Sequence, residues 1–205
     1  MNKGQIRTHM IALLNRSDIT DALADTFIDQ AISRITRVLR IPSMEKVQTY
    51  NVANDVTGVS TINLPNDLIE PLDIYSEGKA LVRLPLHEMI EAQKTNEQGT
   101  PKFFARVQGT YLLHPKPSTG TVVLNYYAAF DTLGTDSATN TLTTLVPDLL
   151  IYTALTYASD YFLDERGTQF ETRASSFLSE IQQQADSSEQ AGGLQVMRPS
   201  QTYTD

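Results

Sequence analysis

The feature of the sequence that most limits its fold is a change of hydrophobic period, from helical to alternating and back to helical. Apolar residues recur every three or four positions over residues 6–39, and this helical period returns after residue 144. Over residues 47–129 the pattern alternates and turn residues are frequent, which is typical of strands. We therefore predict an α+β fold: a helical bundle formed by N- and C-terminal helices, with an inserted β-rich subdomain and an extended C-terminal tail.

Four segments follow from these changes. We expect N-terminal helices of the bundle over residues 1–42 and the inserted β-rich subdomain over residues 43–143. The C-terminal helices of the bundle should occupy residues 144–190, and an extended tail residues 191–205. The tail contains a glycine pair and has no amphipathic period, which favours an extended conformation.

The helical boundaries can be placed from capping residues. The first helix should end near Asn15, either Asp18 or Thr20 can cap the second, and Pro42 closes the segment because it lacks an amide donor. Residues 149–162 are apolar nearly all round, so we expect this helix to be the centre of the bundle and to be contacted on several sides.

Turn residues divide the β-rich segment into shorter pieces. One hairpin is predicted around residues 76–79, with a second strand that runs from residue 80 to 84. Another is predicted around Gly109, and residues 121–127 provide a further strand. The apolar pattern at residues 86–90 predicts one short helix between strands.

The net charge argues against tight binding of nucleic acid. The chain has 16 Lys and Arg against 24 Asp and Glu, for a net charge of −8. Phosphate backbones are bound by basic surfaces, so this is the wrong sign. Most of the acid lies in residues 144–190, which carry two basic and eight acidic side chains. No apolar run approaches the ~20 residues of a membrane span, so we expect no association with membranes.

The sequence lacks the common nucleotide-binding, serine-hydrolase and zinc-binding motifs. Neither phosphate-binding glycine pattern occurs, the serine-hydrolase motif GxSxG is absent, and there is no cysteine. His87 begins a helical zinc motif, but Glu91 stands where the second histidine should be. We therefore predict no catalytic residues, no metal and no cofactor.

The composition and residue spacing leave two other functional classes possible. Asp160, Asp164 and Glu165 are spaced to share one helix face and could serve a metal-assisted hydrolase, although such a cluster is more often a solvated face. A monomeric β-sheet module that binds a ligand such as polysaccharide could use exposed tyrosines for stacking. Its candidates are Tyr111, Tyr126 and Tyr127.

Three segments carry a resemblance to a known family. They are STINLPNDLIEPLDIY at residues 60–75, KFFARVQGTYLLHPKPSTGTVVLNYYAAF at 102–130 and LVPDLLIYTALTYASDYFLDERGTQFETRASSFLSEI at 145–181. In chain order, they contain a strand that ends in Leu-Pro, then a Pro-x-Pro turn before a strand that ends in Tyr-Tyr, and last a helix that begins with Pro-Asp-Leu-Leu. The arrangement resembles the head-to-tail adaptor, or connector, proteins of tailed bacteriophages.

This resemblance implies a structural virion protein and no enzyme. Such an adaptor is one subunit of a ring, usually of twelve, in the neck of the virion between the portal and the tail, and it is assembled in the host cytoplasm. The ring would contact the portal protein and tail or nozzle proteins, and DNA would pass through it without sequence-specific binding. A C-terminal extension would bind the portal, here through Gly192, Gly193, Leu194, Val196 and Met197.

Two further sets of residues are expected to act in that ring. Carboxylates facing the lumen would repel the passing duplex at short range, and our candidates are Asp160, Asp164 and Glu171. A central helix that is apolar on every side needs many partners, which favours an interface between subunits along this helix. The candidates for that interface are Leu150, Ala154, Tyr157, Ala158 and Tyr161.

Overall fold

The computed structural model describes residues 1–51 and 60–190, and within them the fold is α+β. Helices α1 to α6 are, in chain order, Lys3–Leu14, Asp21–Val38, Leu86–Gln93, Thr141–Leu145, Pro147–Tyr161 and Gly167–Gln190. Strands β1 to β8 are Glu45–Asn51, Thr61–Asn63, Leu68–Ser76, Lys79–Ala80, Val82–Arg83, Phe103–Val107, Thr110–His114 and Thr121–Ala128. The α+β class predicted from the change of period is confirmed.

Contacts divide the chain into two compact units. The helical unit consists of Met1–Pro42 and the described residues from Thr132 onward, and the β unit consists of Ser43–Asp131. The predicted tail, with Gly192, Gly193, Leu194, Val196 and Met197, lies outside the described residues. No helix within the described residues is long and apolar enough to cross a membrane.

The ends of α1 and α2 follow the predicted caps. Asn15 ends α1 in a left-handed conformation, with φ of 54°, a conformation that asparagine tolerates better than most residues. The hydroxyl of Thr20 accepts a hydrogen bond from the Leu23 amide at 3.3 Å and so caps α2. Helix α2 ends at Val38, and Pro42 begins a short 3₁₀ turn, Pro42–Met44.

Helix α5 is the centre of the helical unit. It packs against α1, α2, α4 and α6, and its buried side chains point in several directions around the helix. Each fully buried aliphatic side chain of this kind contributes about 2 kcal/mol to folding. The predicted central position of this helix is therefore confirmed, and its partners are other helices of the same chain.

Buried basic side chains join α1 to α2. Arg7 is 8% exposed, and its Nε and Nη1 lie 2.8 Å from Asp25 and 3.0 Å from Asp21. Lys3, equally buried, lies 3.2 Å from Asp25. Opposite charges are needed at this depth because an unpaired buried charge is costly, so these pairs fix the two helices to each other.

The loop before α4 also contacts α1. The amides of Lys3 and Gly4, which have no acceptor within their own helix, donate to the carbonyls of Ala138 and Asp136 at 3.0 and 2.9 Å. Contacts therefore place residues 132–143 in the helical unit, whereas the sequence pattern had joined them to the segment 43–143. Helix α4 was also not predicted, because its residues are mostly threonine and leucine in a short turn.

The β unit is built from two four-stranded sheets, with strand orders β1-β8-β3-β4 and β2-β7-β6-β5. Alternate residues of β8 are buried, beginning with Val122, Leu124 and Tyr126, as expected for a strand with one face on the core. These residues form one hydrophobic cluster with side chains of the second sheet such as Ile62 and Leu113. The predicted hairpin around Gly109 is confirmed by the β6–β7 pairing, in which Val107 lies opposite Thr110.

The other predicted hairpin is shorter than expected. Gly78, with φ of 75°, forms the turn between β3 and β4 without the strain that a side chain would bring. The Leu81 amide still donates to Ile74 of β3, at 2.8 Å, but the next amide, that of Val82, donates to Lys102 at 2.9 Å. The chain therefore changes sheets at Leu81, and the prediction of one strand over residues 80–84 is wrong.

Candidate functional site

The predicted subunit interface along α5 is mostly interior in the structure. Leu150, Ala154 and Ala158 are fully buried within a single chain. The reason is that four other helices cover α5, so the apolar pattern that suggested missing partners is explained by intramolecular packing. The assignment of these three residues to an interface is wrong. Tyr157 is half-buried, and Tyr161, which is 62% exposed, remains accessible.

The predicted lumen residues come together in one open cleft. It lies along α5, α6 and the turn between them, has a volume of about 730 Å³, and is lined by Asp160, Asp164 and Glu171 as well as Glu165. The prediction that Asp160, Asp164 and Glu165 share one helix face is wrong, because α5 ends at Tyr161 and Asp164 and Glu165 lie in the turn that follows. The charges of the carboxylates in the cleft are not equally available.

Asp164 is tied to Arg166. The Arg166 Nη2 donates to Oδ2 of Asp164 at 2.6 Å, and its Nε and backbone amide each donate to Oδ1 at 3.0 Å. These hydrogen bonds, the side-chain one first, lower the pKa of Asp164 to about 2. The same guanidinium also donates to the carbonyl of Leu14 at 2.9 Å, so it caps the C-terminus of α1.

Glu171 is paired in a similar way with Arg34 of α2. Nη1 of Arg34 donates to Oε2 at 2.7 Å, and Nη2 donates to Oε1. The hydrogen bond from Arg34 lowers the pKa of Glu171 and raises that of Arg34. Both groups are therefore charged at neutral pH, and their charges largely cancel.

Two of the three lumen candidates are thus neutralised within the chain. A carboxylate held by an adjacent guanidinium adds little net repulsion at a distance of several ångströms, so the prediction that Asp164 and Glu171 act as free repulsive charges is not supported. The carboxylate of Asp160 is exposed and has no side-chain partner among the described residues. It is the remaining candidate of the three.

The carboxylates suggested for a metal-assisted hydrolase, Asp160, Asp164 and Glu165, are not brought together as a metal site. Across residues 1–51 and 60–190, no three His, Cys, Asp or Glu side chains are grouped so that they could hold a metal ion. In addition, a carboxylate with a pKa of about 2, as at Asp164, is a poor general acid at neutral pH.

Two of the three tyrosines proposed for ligand stacking are buried. Tyr111 is 1% exposed, and its ring packs edge-on against Phe104 with 5.1 Å between centroids. Tyr126 is 4% exposed, and its hydroxyl donates to Asp67 at 3.1 Å. Their ring faces are used by the core of the β unit, so the polysaccharide-binding prediction is wrong for both. Tyr127 is half-buried.

A comparison with protein families identifies the chain. A family model described as SU10 adaptor protein matches residues 1–198. The chain belongs to this adaptor family. The resemblance to phage head-to-tail adaptors is therefore confirmed, and membership supports a structural role in the virion rather than an enzymatic one. A comparison with curated proteins found no match.

One feature of the adaptor was missed in the sequence: the turn that joins α5 to α6. Tyr161 packs against Phe162 and Phe27, with 4.9 and 5.7 Å between ring centroids, and the Arg16 guanidinium lies 4.3 Å above the Phe162 ring. Leu163 follows them and is 89% exposed. The signal available in the sequence was the run of three large apolar residues, Tyr161, Phe162 and Leu163, directly before three charged residues.

Proposed function

We propose that this adaptor is one subunit of a ring of twelve copies that joins the portal to the tail and surrounds part of the DNA channel. The observation that carries the proposal is the adaptor-family match over residues 1–198.

In this arrangement the helical units of neighbouring copies pack side by side and the β unit contacts tail or nozzle proteins. The portal is bound by the residues that follow α6, with Gly192, Gly193, Leu194, Val196 and Met197 as the candidate contacts. Leu194, Val196 and Met197 would supply the apolar side chains that such a contact buries.

The proposed channel lets DNA pass without sequence-specific binding. The chain carries a net charge of −8, and each Lys or Arg that contacted a phosphate would add binding that has to be broken during passage. Asp160 is the candidate for the lumen, since its carboxylate is exposed and unpaired among the described residues. Its effect is restricted to about 8 Å at physiological salt, so only charges at the channel wall contribute.

The experiment that tests this function is electron microscopy of the purified chain mixed with its cognate portal. We expect a ring of twelve adaptor subunits attached coaxially to the portal. A second sample, truncated after Gln190, should keep the same circular dichroism and melting temperature but should not attach. Absence of any complex with the intact chain would refute the ring-forming role, whereas normal attachment of the truncated chain would refute only the role of the tail.

A further inference from the structure

We propose that neighbouring copies of this chain pack through two different patches of the helical unit, with Leu163 of one copy seated in a notch beside Val38 of the next. The inference rests on the proposed ring and specifies the contact that closes it. The first patch, called the knob, is Leu163 with Glu165. The second, called the notch, is the hollow that Val38 and Leu178 border, together with Arg37.

Leu163 is a largely exposed apolar residue in the turn that ends α5. Its left-handed conformation is the usual one for a residue that follows a helix, and the Asp164 amide closes the turn by donating to the Ser159 carbonyl at 2.8 Å. The φ of Leu163 is +54°, in the left-handed region, which costs a residue with a Cβ about 1–2 kcal/mol. Its side chain is 89% exposed and so gains almost nothing from burial within the chain. Glycine would form the same turn without strain. The leucine, two residues after Tyr161, which is 62% exposed, instead provides apolar surface that a partner can cover.

The notch is a small hollow between three helices, α2, α5 and α6, and it is large enough for a leucine side chain. It has a volume of about 140 Å³. Its apolar lining is Ile35 and Val38 of α2 and Ala174 and Leu178 of α6, and its polar lining is Arg34, Thr153 and Ser175. Val38 is 56% exposed there. A cavity of ~150 Å³ accommodates benzene, a larger apolar group than the leucine side chain. Leu163 therefore fits this hollow.

The charges beside the two patches are complementary. Glu165 lies two residues after Leu163, is exposed, and has no partner among the described residues. Arg37 precedes Val38, is also exposed, and likewise has no partner there. When Leu163 enters the notch, these two side chains can pair at its rim, which supplies specificity and orientation to an apolar contact.

The contact is heterologous, because the knob and the notch are different surfaces of the same helical unit. Such heterologous contacts generate closed rings when the rotation between copies divides a full turn. A symmetric contact of two knobs would instead bring Glu165 of one copy next to Glu165 of the other and add like-charge repulsion. The charge pattern therefore favours the arrangement that a ring requires.

The absence of cysteine from the chain makes a direct test possible. Leu163→Cys and Val38→Cys are prepared as separate proteins, mixed, assembled on the cognate portal and oxidised. We expect a disulfide-linked dimer in the mixture and none in either protein alone. A dimer of Leu163→Cys with itself would overturn the inference, as would rings that form without the mixed disulfide. Rings that do not form even with the unaltered chain would refute the proposed function itself.

Charge reversal provides the second measurement. Arg37→Glu and Glu165→Arg should each raise the concentration needed for ring assembly by about tenfold, and the double variant should recover most of this loss. The matched control is Lys79→Glu, an exposed lysine of the β unit that should assemble like the unaltered chain. If the double variant is no better than the single ones, the two residues do not face each other.

Leu163→Gly separates assembly from folding. Because glycine relieves the left-handed strain, the isolated variant should have a melting temperature equal to or above that of the unaltered chain. Its assembly on the portal should nevertheless be weaker, since the knob is lost. A variant that is less stable as an isolated chain, or that assembles normally, would show that Leu163 serves the fold of the turn and not the contact.

Discussion

Arg34 of α2 and Glu171 of α6 form a two-point ion pair: Nη1 donates to Oε2 at 2.7 Å and Nη2 donates to Oε1. About three turns further along α6, the side chain of Gln182 donates to the carbonyl of Arg40, just after α2, at 2.9 Å and accepts from its amide at 3.0 Å. Paired donors of this kind have strict geometry, so together they fix the register of α2 against α6.

Replacement of Glu171 by glutamine should reduce the stability of the helical unit by about 1 kcal/mol at neutral pH, a modest value because both side chains are about one-third exposed. The pKa of Glu171 is lowered in the folded state, so its contribution is present above its unfolded pKa and is lost as pH falls through the folded one. Urea unfolding at pH 7 and at pH 3 measures this difference.

The difference in free energy of unfolding between the unaltered chain and Glu171→Gln should be smaller at pH 3 than at pH 7. Glu165→Gln is the control, since that side chain is exposed and has no partner among the described residues. It should leave the stability of the isolated chain within about 0.5 kcal/mol at both pH values. A difference for Glu171→Gln that is independent of pH would mean that the ion pair does not contribute.

Asp164→Asn should weaken the turn between α5 and α6. Asparagine keeps the Oδ1 acceptor for the Arg166 amide, so the substitution isolates the charge of the carboxylate. The pKa of Asp164 is about 2, so its stabilising effect is present above pH ~4 and is lost between about pH 4 and pH 2. We expect a loss of about 1 kcal/mol at pH 7, measured by thermal unfolding across this range.

Asp160→Asn is the matched control for that variant, because the exposed Asp160 carboxylate has no side-chain partner in the described part of the chain. Its melting curve should follow that of the unaltered chain at every pH. Equal losses for the two variants would indicate general surface electrostatics instead of the specific contact with Arg166.

The sequence predicted elements whose signals are local. The end of α1 near Asn15, a cap of α2 at one of two candidates, of which Thr20 is the one used, and the hairpin around Gly109 each depend on residues within one turn of each other. These local features were predicted correctly. The sheet exchange at Leu81 was missed because it depends on Lys102, whose carbonyl accepts the Val82 amide from a distant part of the chain.

The site was harder to predict, for a related reason. Periodicity showed that α5 is apolar on all sides, but it could not distinguish neighbours within the chain from neighbours in other copies. Likewise, the sequence alone suggests that the carboxylate of Glu171 is an unpaired charge. The structure shows that it is paired with Arg34, which lies 137 positions earlier. Pairings across such separations are set by tertiary packing, which a single sequence does not reveal.

The β unit provides a prediction that distinguishes core tyrosines from surface tyrosines. Tyr111→Ala should cost about 3–5 kcal/mol, because it removes a fully buried ring and its edge-on contact with Phe104. Tyr127→Ala, at a half-buried position of β8, should cost clearly less. The chain has no tryptophan, so tyrosine near-UV circular dichroism can follow unfolding in both variants. Similar losses would contradict the burial of Tyr111.

Leu150→Ala tests whether the buried face of α5 belongs to the core of one chain. Leu150 is fully buried, so the truncation should leave a cavity and cost about 2–5 kcal/mol in the isolated chain, before any assembly. Leu145→Ala is the same substitution at a position that is 61% exposed, and it should stay within about 0.5 kcal/mol. Helical circular dichroism during urea unfolding measures both. If Leu150→Ala were as stable as the unaltered chain and only its assembly were reduced, the residue would belong to a subunit interface after all.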